Sequence, residues 1–243
     1  ILITGSTSGI GKEIALQLSK KNNLILHGRN LDKIKNLKKL IHNNNHIEWV
    51  QDFSKDESIS KSLGKLLADN NIGIEAFIHA AGEVSILPAR NLSYELGRKI
   101  MKVNYFSAME IISLLCKKKY FEYLENILFI SSIYSDYGAR YHTFYSGSKA
   151  ALNGSMKALS LELSPKVRVN SLILGAIDTP MTAKALSDKK IYQKFKNDYP
   201  LGIGDVVDVC ETVKFLLSKK SKWLTGQNFY LDGGRTANIS PEL

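Results

Sequence analysis

Ile1-Leu2-Ile3-Thr4-Gly5-Ser6-Thr7-Ser8-Gly9-Ile10-Gly11 runs a short apolar segment into a glycine-spaced turn, and Ile10–Lys20 continues with helical period. A strand that turns directly into a helix in this way leaves free backbone N–H groups and the positive end of the helix dipole at the turn. Gly5 permits the tight turn, Gly9 lets backbone amides approach a pyrophosphate, and Gly11 allows close helix-strand packing. Glycines also serve ordinary turns, so the triplet gains its meaning from its place between strand and helix. The stretch predicts a dinucleotide-binding βα unit.

The same alternation continues outward. Candidate strands fall at Ile1–Thr4, Leu24–Gly28, His46–Gln51, Glu75–His79, Asn126–Ser131, Val167–Leu172 and Gln227–Leu231. Helical stretches lie between them at Leu31–His42, Ser58–Asp69, Tyr94–Lys118, Tyr145–Leu163 and Val206–Ser218. This pattern predicts an α/β fold, a doubly wound parallel sheet of about seven strands with helices on both faces. No linker or repeat interrupts it, so residues 1–243 read as a single Rossmann-type domain. Leu152, Met156, Leu159 and Leu163 form an apolar stripe that suits either the core or a subunit interface.

Composition narrows the class. Hydrophobic residues make up 44% and charged residues 23% of the 243, as in ordinary globular chains. No apolar run approaches the roughly 20 residues that span a bilayer. The sequence begins at Ile1, inside an apolar run, so preceding residues are expected to be missing; nothing present resembles a signal peptide. Cys116 and Cys210 sit among apolar residues, as expected of buried free thiols in a reducing cytoplasm, and no metal site is indicated. The net charge of +10 raises nucleic acid as a partner. Yet the lysines are scattered over helix exteriors (Lys33, Lys35, Lys38, Lys39; Lys117 to Lys119; Lys219, Lys220, Lys222) without a basic-aromatic motif. Solvated faces explain them, with some attraction for an anionic cofactor or substrate.

At the end of the second strand Leu26-His27-Gly28-Arg29-Asn30 carries no acid. An acidic residue there would bind a ribose 2′-hydroxyl, whereas Arg29 suits a 2′-phosphate, which favours NADP(H) over NAD(H).

Tyr145-x-x-x-Lys149 places a phenol and an ammonium on one helix face. The lysine can favour phenolate, and a phenol tuned toward neutrality can pass a proton to or from a carbonyl or alcohol oxygen. The spacing alone means little, since Tyr192-x-x-x-Lys196 repeats it. Context separates them. Upstream of Tyr145, Ile127-Leu128-Phe129-Ile130 ends in Ser131-Ser132, a hydroxyl at the carboxyl edge where open α/β sheets bind ligands. The position corresponding to Ser132, thirteen residues before Tyr192, is Thr179, which ends no apolar strand, so Tyr192 and Lys196 read as a solvated helix face.

Together these residues resemble the short-chain dehydrogenase/reductase family over essentially the full chain, including its 3-oxoacyl-(acyl-carrier-protein) reductase-like members. Thr4 to Gly11 matches the family's glycine motif, Tyr145 and Lys149 its Tyr-x-x-x-Lys, Ser132 its serine, Asn104 its helix asparagine and Asp52 its acidic residue near adenine. The resemblance implies that Tyr145 is the acid/base, Ser132 polarises the reacting oxygen, Lys149 tunes the tyrosine and holds the nicotinamide ribose, and Asn104 anchors a water that relays protons to Lys149. It implies cofactor contacts from Gly5, Ser8, Gly9, Ile10, Gly11, Arg29, Asp52, Phe53, Ala80, Gly82, Tyr145, Lys149, Ile177 and Thr179. It also implies a small carbonyl or alcohol substrate, no nucleic acid or membrane partner, and a homotetramer or homodimer sharing Tyr94–Lys118 and Tyr145–Leu163. An acyl carrier protein is a further implied partner, and a non-catalytic dinucleotide sensor on the same fold is the reading from another class.

Two departures stand out. The family's Asn-Ala-Gly-type motif is His79-Ala80-Ala81-Gly82, with His79 expected to brace the sheet, and its Pro-Gly is Leu174-Gly175. Glu83–Asn91, Tyr134–Phe144 and a lid at 182–200 are expected to shape the substrate pocket. The second is aromatic and polar (Tyr134, Tyr137, Arg140, Tyr141, His142, Phe144), which suits a sugar, a polyol or an anionic carbonyl compound.

Overall fold

The computed structural model describes residues 1–42 and 45–237; Asn43 and Asn44 of an Asn-rich patch lie outside them. Seven parallel strands form one sheet: β1 (Leu2–Thr4), β2 (Ile25–Gly28), β3 (Ile47–Val50), β4 (Ala76–His79), β5 (Asn126–Ser132), β6 (Arg168–Leu174) and β7 (Asn228–Leu231). Their order is β3-β2-β1-β4-β5-β6-β7. Winding therefore reverses between β1 and β4, the switch point where such sheets open a crevice. Leu2 lies opposite both Ile25 and Phe77, and Thr4 opposite His79.

The helices are α1 (Gly9–Leu18), α2 (Leu31–Lys38), α3 (Ile59–Asn70), α4 (Tyr94–Met101), α5 (Ser107–Leu115), α6 (Lys118–Phe121), α7 (Thr143–Glu162), α8 (Ala183–Leu186), α9 (Lys189–Asp198) and α10 (Val206–Leu217). Side chains on a strand alternate between faces, so each strand feeds two cores. Leu2, Phe77, Ile127 and Phe129 pack under α3, α5 and α7 with Leu63, Ile111, Leu152 and Met156. Ile3, Ile78, Leu128 and Ile130 pack on the other face with Ile14 of α1, Ile34 of α2 and Val209 and Val213 of α10.

Three expectations change here. Leu152, Met156 and Leu163 are buried in the first core and Leu159 packs against it, so the α7 stripe is core and offers no face to another subunit. The long helix expected at Tyr94–Lys118 is interrupted by a π turn at Lys102–Phe106. Its loosened carbonyls find partners, with Ser107 Oγ donating to Val103 O at 2.8 Å and His79 Nε2 meeting Asn104 O at 3.1 Å. The second helix stops at Lys38 rather than His42, because His42 N–H reaches Ser19 Oγ and its carbonyl takes His46 Nε2. Tyr192 and Lys196 lie exposed on α9, as the sequence indicates.

Candidate functional site

The glycine turn is conformationally committed. Gly5 and Gly9 have φ of 67° and 50°, in the left-handed region that L side chains avoid. A Cβ on Gly5 would sit 2.8 Å from Ala81 Cα, and one on Gly11 2.3 Å from Gly5 O. The turn is anchored from β2: Gly5 N–H donates to His27 Nδ1 at 3.1 Å, and Ser6 donates through N and Oγ to His27 O. His27 Nε2 meets Gln51 O at 2.9 Å, and the ring stacks on Phe53 at 4.0 Å. With Nδ1 accepting and Nε2 donating, the ring is neutral, and burial pushes its pKa down to about 4. Phe53 is thus a core side chain behind the turn.

Ser8 N-caps α1 without a side-chain cap bond, and the first turn of α1 holds no acid. Its leading amides are left for an anion. These features fit a pyrophosphate group, so a dinucleotide suits the turn. At the tip of β2 Arg29 is exposed and makes no ion pair among the described residues. Partial burial opposes the charge of Asp52, but hydrogen bonds from Ser54 and the nearby Arg29 and Lys55 outweigh it and hold the carboxyl below its usual range.

Past β4, His79 occupies the place of the family's asparagine and ties three elements together. Its Nδ1 lies 3.0 Å from Thr4 Oγ1 on β1, and its Nε2 reaches the π turn. Thr4 Oγ1 in turn accepts Ala81 N–H. A neutral ring satisfies every contact, and burial, aided by the charge of Lys149, pushes its pKa down to about 3. The expected brace is present. Asn104 is buried, and both its amide hydrogens and its oxygen are engaged: Oδ1 accepts Glu83 N–H at 2.7 Å, while Nδ2 donates to Glu83 O and to Ser148 Oγ, each at 2.9 Å.

Ser132 closes β5, and α7 brings Tyr145 and Lys149 beneath it. Lys149 is buried, donates to Ile130 O at 2.8 Å and stands 5.9 Å from the centre of the Tyr145 ring. Burial pushes its pKa down to about 8. The hydroxyl end of Tyr145 is enclosed, and burial raises its pKa; a hydrogen bond with Ser132 opposes this only in part. Lys149 is not among the groups that shift it. The ammonium donates to Ile130 O, and a Cβ on Gly82 would lie 3.6 Å from Nζ.

The Leu174-Gly175 loop is held by hydrogen bonds in place of a proline ring. Gly175 N–H donates to Leu231 O, Ala176 N–H to Tyr199 Oη and Asp178 N–H to Gly204 O, each at 3.0 Å. Thr179 N–H donates to Thr182 Oγ1 at 3.0 Å, and a Cβ on Gly9 would lie 3.6 Å from Thr179 Cβ.

These parts enclose a cavity of about 260 Å³ that brings Ile10, Ala80, Gly82, Ser132, Tyr145, Lys149, Ile177 and Thr179 together. Gly5, Ser8, Gly9, Gly11, Arg29, Asp52, Phe53 and Asn104 do not line it. They lie at the turn, the β2 and β3 tips and the π turn. Of the expected pocket residues, Tyr134 and His142 line the cavity, with Val84, Ile86, Thr182, Ala185, Phe195 and Tyr199 from the flanking segments. Tyr137, Arg140 and Tyr141 face solvent, and Phe144 packs over Gly97. Hollows of about 510 and 520 Å³ around Ile1, Lys21, Asn22 and Glu75 hold none of the candidate residues. The sequence reading missed Ser148 and the pair Ser135 and Asn153, ordinary helix and turn residues whose partners are remote in sequence. Among the described residues no helix is long and apolar enough to cross a membrane.

A family model described as enoyl-(acyl carrier protein) reductase matches residues 5–236. The chain is 33% identical to the 3-oxoacyl-(acyl-carrier-protein) reductase of Rickettsia prowazekii, over 96% of this chain and 95% of that one. It is 26% identical to glucose 1-dehydrogenase of Gluconobacter oxydans, over 97% and 91%. Among solved structures, 4-hydroxyisoleucine dehydrogenase complexed with NADH superposes with a TM-score of 0.88 at 27% identity, covering 98% of each chain.

Proposed function

The chain belongs to the short-chain dehydrogenase/reductase family, and from that premise we propose that it interconverts a ketone and a secondary alcohol with NADP(H), preferred over NAD(H). The observation that carries this reading is the convergence of Ser132, Tyr145 and Lys149 on one cavity at the carboxyl edge of the sheet, beside Gly82, Ile177 and Thr179.

The amides of Gly9, Ile10 and Gly11 would hold the pyrophosphate, with Ser8 beside them and Gly5 shaping the turn. Asp52 and the backbone of Phe53 would border the adenine, and Arg29 would meet the 2′-phosphate. Ala80 and Gly82 would offer backbone to the ribose end, while Ile177 and Thr179 would meet the carboxamide. A bound nicotinamide would supply the hydride in reduction and accept it in oxidation. As the ketone carbon gains hydride, Tyr145 Oη gives its proton to the carbonyl oxygen; in the reverse direction it takes the alcohol proton. Ser132 Oγ donates a hydrogen bond to the same oxygen, and positioning plus polarisation lowers the barrier. Lys149 has donors left beyond its bond to Ile130 O, and these would hold the ribose. Asn104 O retains a lone pair beyond the one His79 uses, enough to anchor a water on the path to Lys149. The segment 182–200, with α8 and α9, acts as the lid.

A second reading, reduction of 3-oxoacyl groups on acyl carrier protein, is favoured by the relative at 33% identity and by the net charge of +10. Association into a homotetramer or homodimer is part of the proposal, with exposed Tyr94 and Phe106 on the expected helical face. The free thiols of Cys116 and Cys210 suit a reducing, cytoplasmic setting.

The test is fluorescence titration with NADPH and NADH, followed by a carbonyl screen beside Tyr145→Phe. Tight NADPH binding with turnover that vanishes in the variant supports the proposal. Binding of neither nucleotide sinks it, and turnover indifferent to the variant overturns the role of Tyr145.

A further inference from the structure

His142 lines the cavity that holds Ser132 and Tyr145, yet neither the fold nor the proposed chemistry uses its ring. It occupies the N-cap position of α7 without making a side-chain cap bond. Its Nδ1 lies 2.7 Å from Arg140 O. A carbonyl can only accept, so Nδ1 carries the proton of the neutral ring and Nε2 keeps its lone pair. Among the described residues Nε2 has no hydrogen-bond partner.

The ring is also held in place. It tilts against Tyr134 at 5.0 Å and stands edge-on to Tyr145 at 6.3 Å between centroids. The preceding Tyr141 has φ of 70°, a strained setting for a residue with a side chain. Tyr141 O accepts Leu87 N–H at 2.9 Å, which fastens this loop to the segment that follows the lining residue Ile86. A strained, cross-tied backbone that aims one ring beside the reacting centre is a feature of pre-organised sites.

The surroundings restrict what that acceptor can meet. The lining of the cavity includes the apolar Val84, Ile86, Ile133, Met181 and Phe195. Among the described residues Lys149 is the cation that lines the cavity and it is bound to Ile130 O, while Arg235 is paired with Asp198 at 3.7 Å. A lone-pair acceptor offers no attraction to an anionic substituent. A hydroxyl would find an acceptor.

Building on the carbonyl–alcohol reading of the site, we propose that His142 binds substrate through Nε2, accepting a hydrogen bond from a hydroxyl next to the reacting carbon. The substrate class is then hydroxy ketones and the matching vicinal diols or polyols. Simple ketones and 3-oxoacyl thioesters, which bring no donor to this position, are disfavoured.

Hydroxyacetone and methoxyacetone test this, because both carry an electron-withdrawing oxygen beside the carbonyl and only the first carries a donor. Steady-state reduction with NADPH and NADH is measured for the wild type, His142→Phe and His142→Gln, with nucleotide titration of each. Wild type is expected to favour hydroxyacetone at least tenfold in kcat/KM. His142→Phe keeps the ring contacts and is expected to bring the two close to parity, while His142→Gln restores an acceptor and part of the preference. Equal use of both ketones by the wild type, no turnover of hydroxyacetone, or a preference that survives in His142→Phe overturns the assignment. Nucleotide binding separates the levels: if it persists, only His142 loses its role, and if it is absent, the reductase reading falls as well.

Discussion

His79 Nε2 lies 3.1 Å from the main-chain oxygen of Asn104, and this contact joins the carboxyl end of β4 to the π turn between α4 and α5. Through Nδ1 and Thr4 Oγ1 the same ring reaches β1 and the start of the glycine turn. One neutral imidazole therefore spans both sides of the switch point. His79→Ala leaves buried polar groups without partners and is expected to cost about 1–3 kcal/mol of unfolding free energy, read by urea denaturation. A cost near zero would show that the brace is dispensable.

The acid limb of stability should follow His79 and His27. Their folded pKa values, about 3 and about 4, lie below the ordinary 6.5. Between those limits the unfolded chain binds more protons than the fold, so stability present above pH 6.5 is lost as pH falls toward 4 and 3. Each contributes on the order of a few kcal/mol. Unfolding free energy measured from pH 7 to pH 4 should fall more gently in His79→Asn than in the wild type. Parallel curves would mean that other groups govern the acid limb.

Lys149 acts at the alkaline end. Its folded pKa of about 8 lies below the ordinary 10.5, so the fold carries the full burden of a buried ammonium below pH 8. As pH rises through this window the unfolded chain holds the proton longer, and stability increases by an amount on the order of 3 kcal/mol. Lys149→Met should flatten that rise. A variant curve that still climbs between pH 8 and 10 would assign the effect elsewhere.

The layout was legible because its signals are local: alternation within strands, glycines at a tight turn and a serine ending an apolar strand. What escaped was decided by groups far apart in sequence. The π turn exists where His79 and Ser107 can use its carbonyls, and nothing in Lys102–Phe106 itself marks it. The α7 stripe is satisfied by the core beneath it. The aromatic loop could not be sorted into wall and surface residues, because its path depends on the left-handed turn at Tyr141 and the bond to Leu87. The opposed shift at Tyr145 follows from enclosure by several elements, which helical spacing to Lys149 does not report.

Arg29 should set nucleotide preference. It is exposed and free of ion pairs among the described residues, so its charge is available to a 2′-phosphate. Arg29→Asp is expected to weaken NADPH binding at least tenfold, about 1.4 kcal/mol, while NADH binding holds or improves. Equal losses for both nucleotides would argue for a general structural effect at the β2 tip.

Ser132 depends on a short chain of hydrogen bonds that starts inside α7. Asn153 Nδ2 donates to Ser135 Oγ at 2.7 Å, and Ser135 Oγ donates to Ser132 O at 2.6 Å. The turn at Ile133–Ser135 is thereby clamped just after the strand end, and Ser132 Oγ accepts Tyr134 N–H within it. Neither Ser135 nor Asn153 lines the cavity, so each would act through the placement of Ser132. Ser135→Ala breaks the relay and should lower kcat several-fold with little change in KM or nucleotide affinity, since the reacting oxygen is polarised less well while the binding walls remain. Ser135→Thr, which keeps the hydroxyl, should recover most of kcat. A fall confined to thermal stability with kcat intact would reduce the chain to a structural clamp and leave Ser132 positioned by β5 alone.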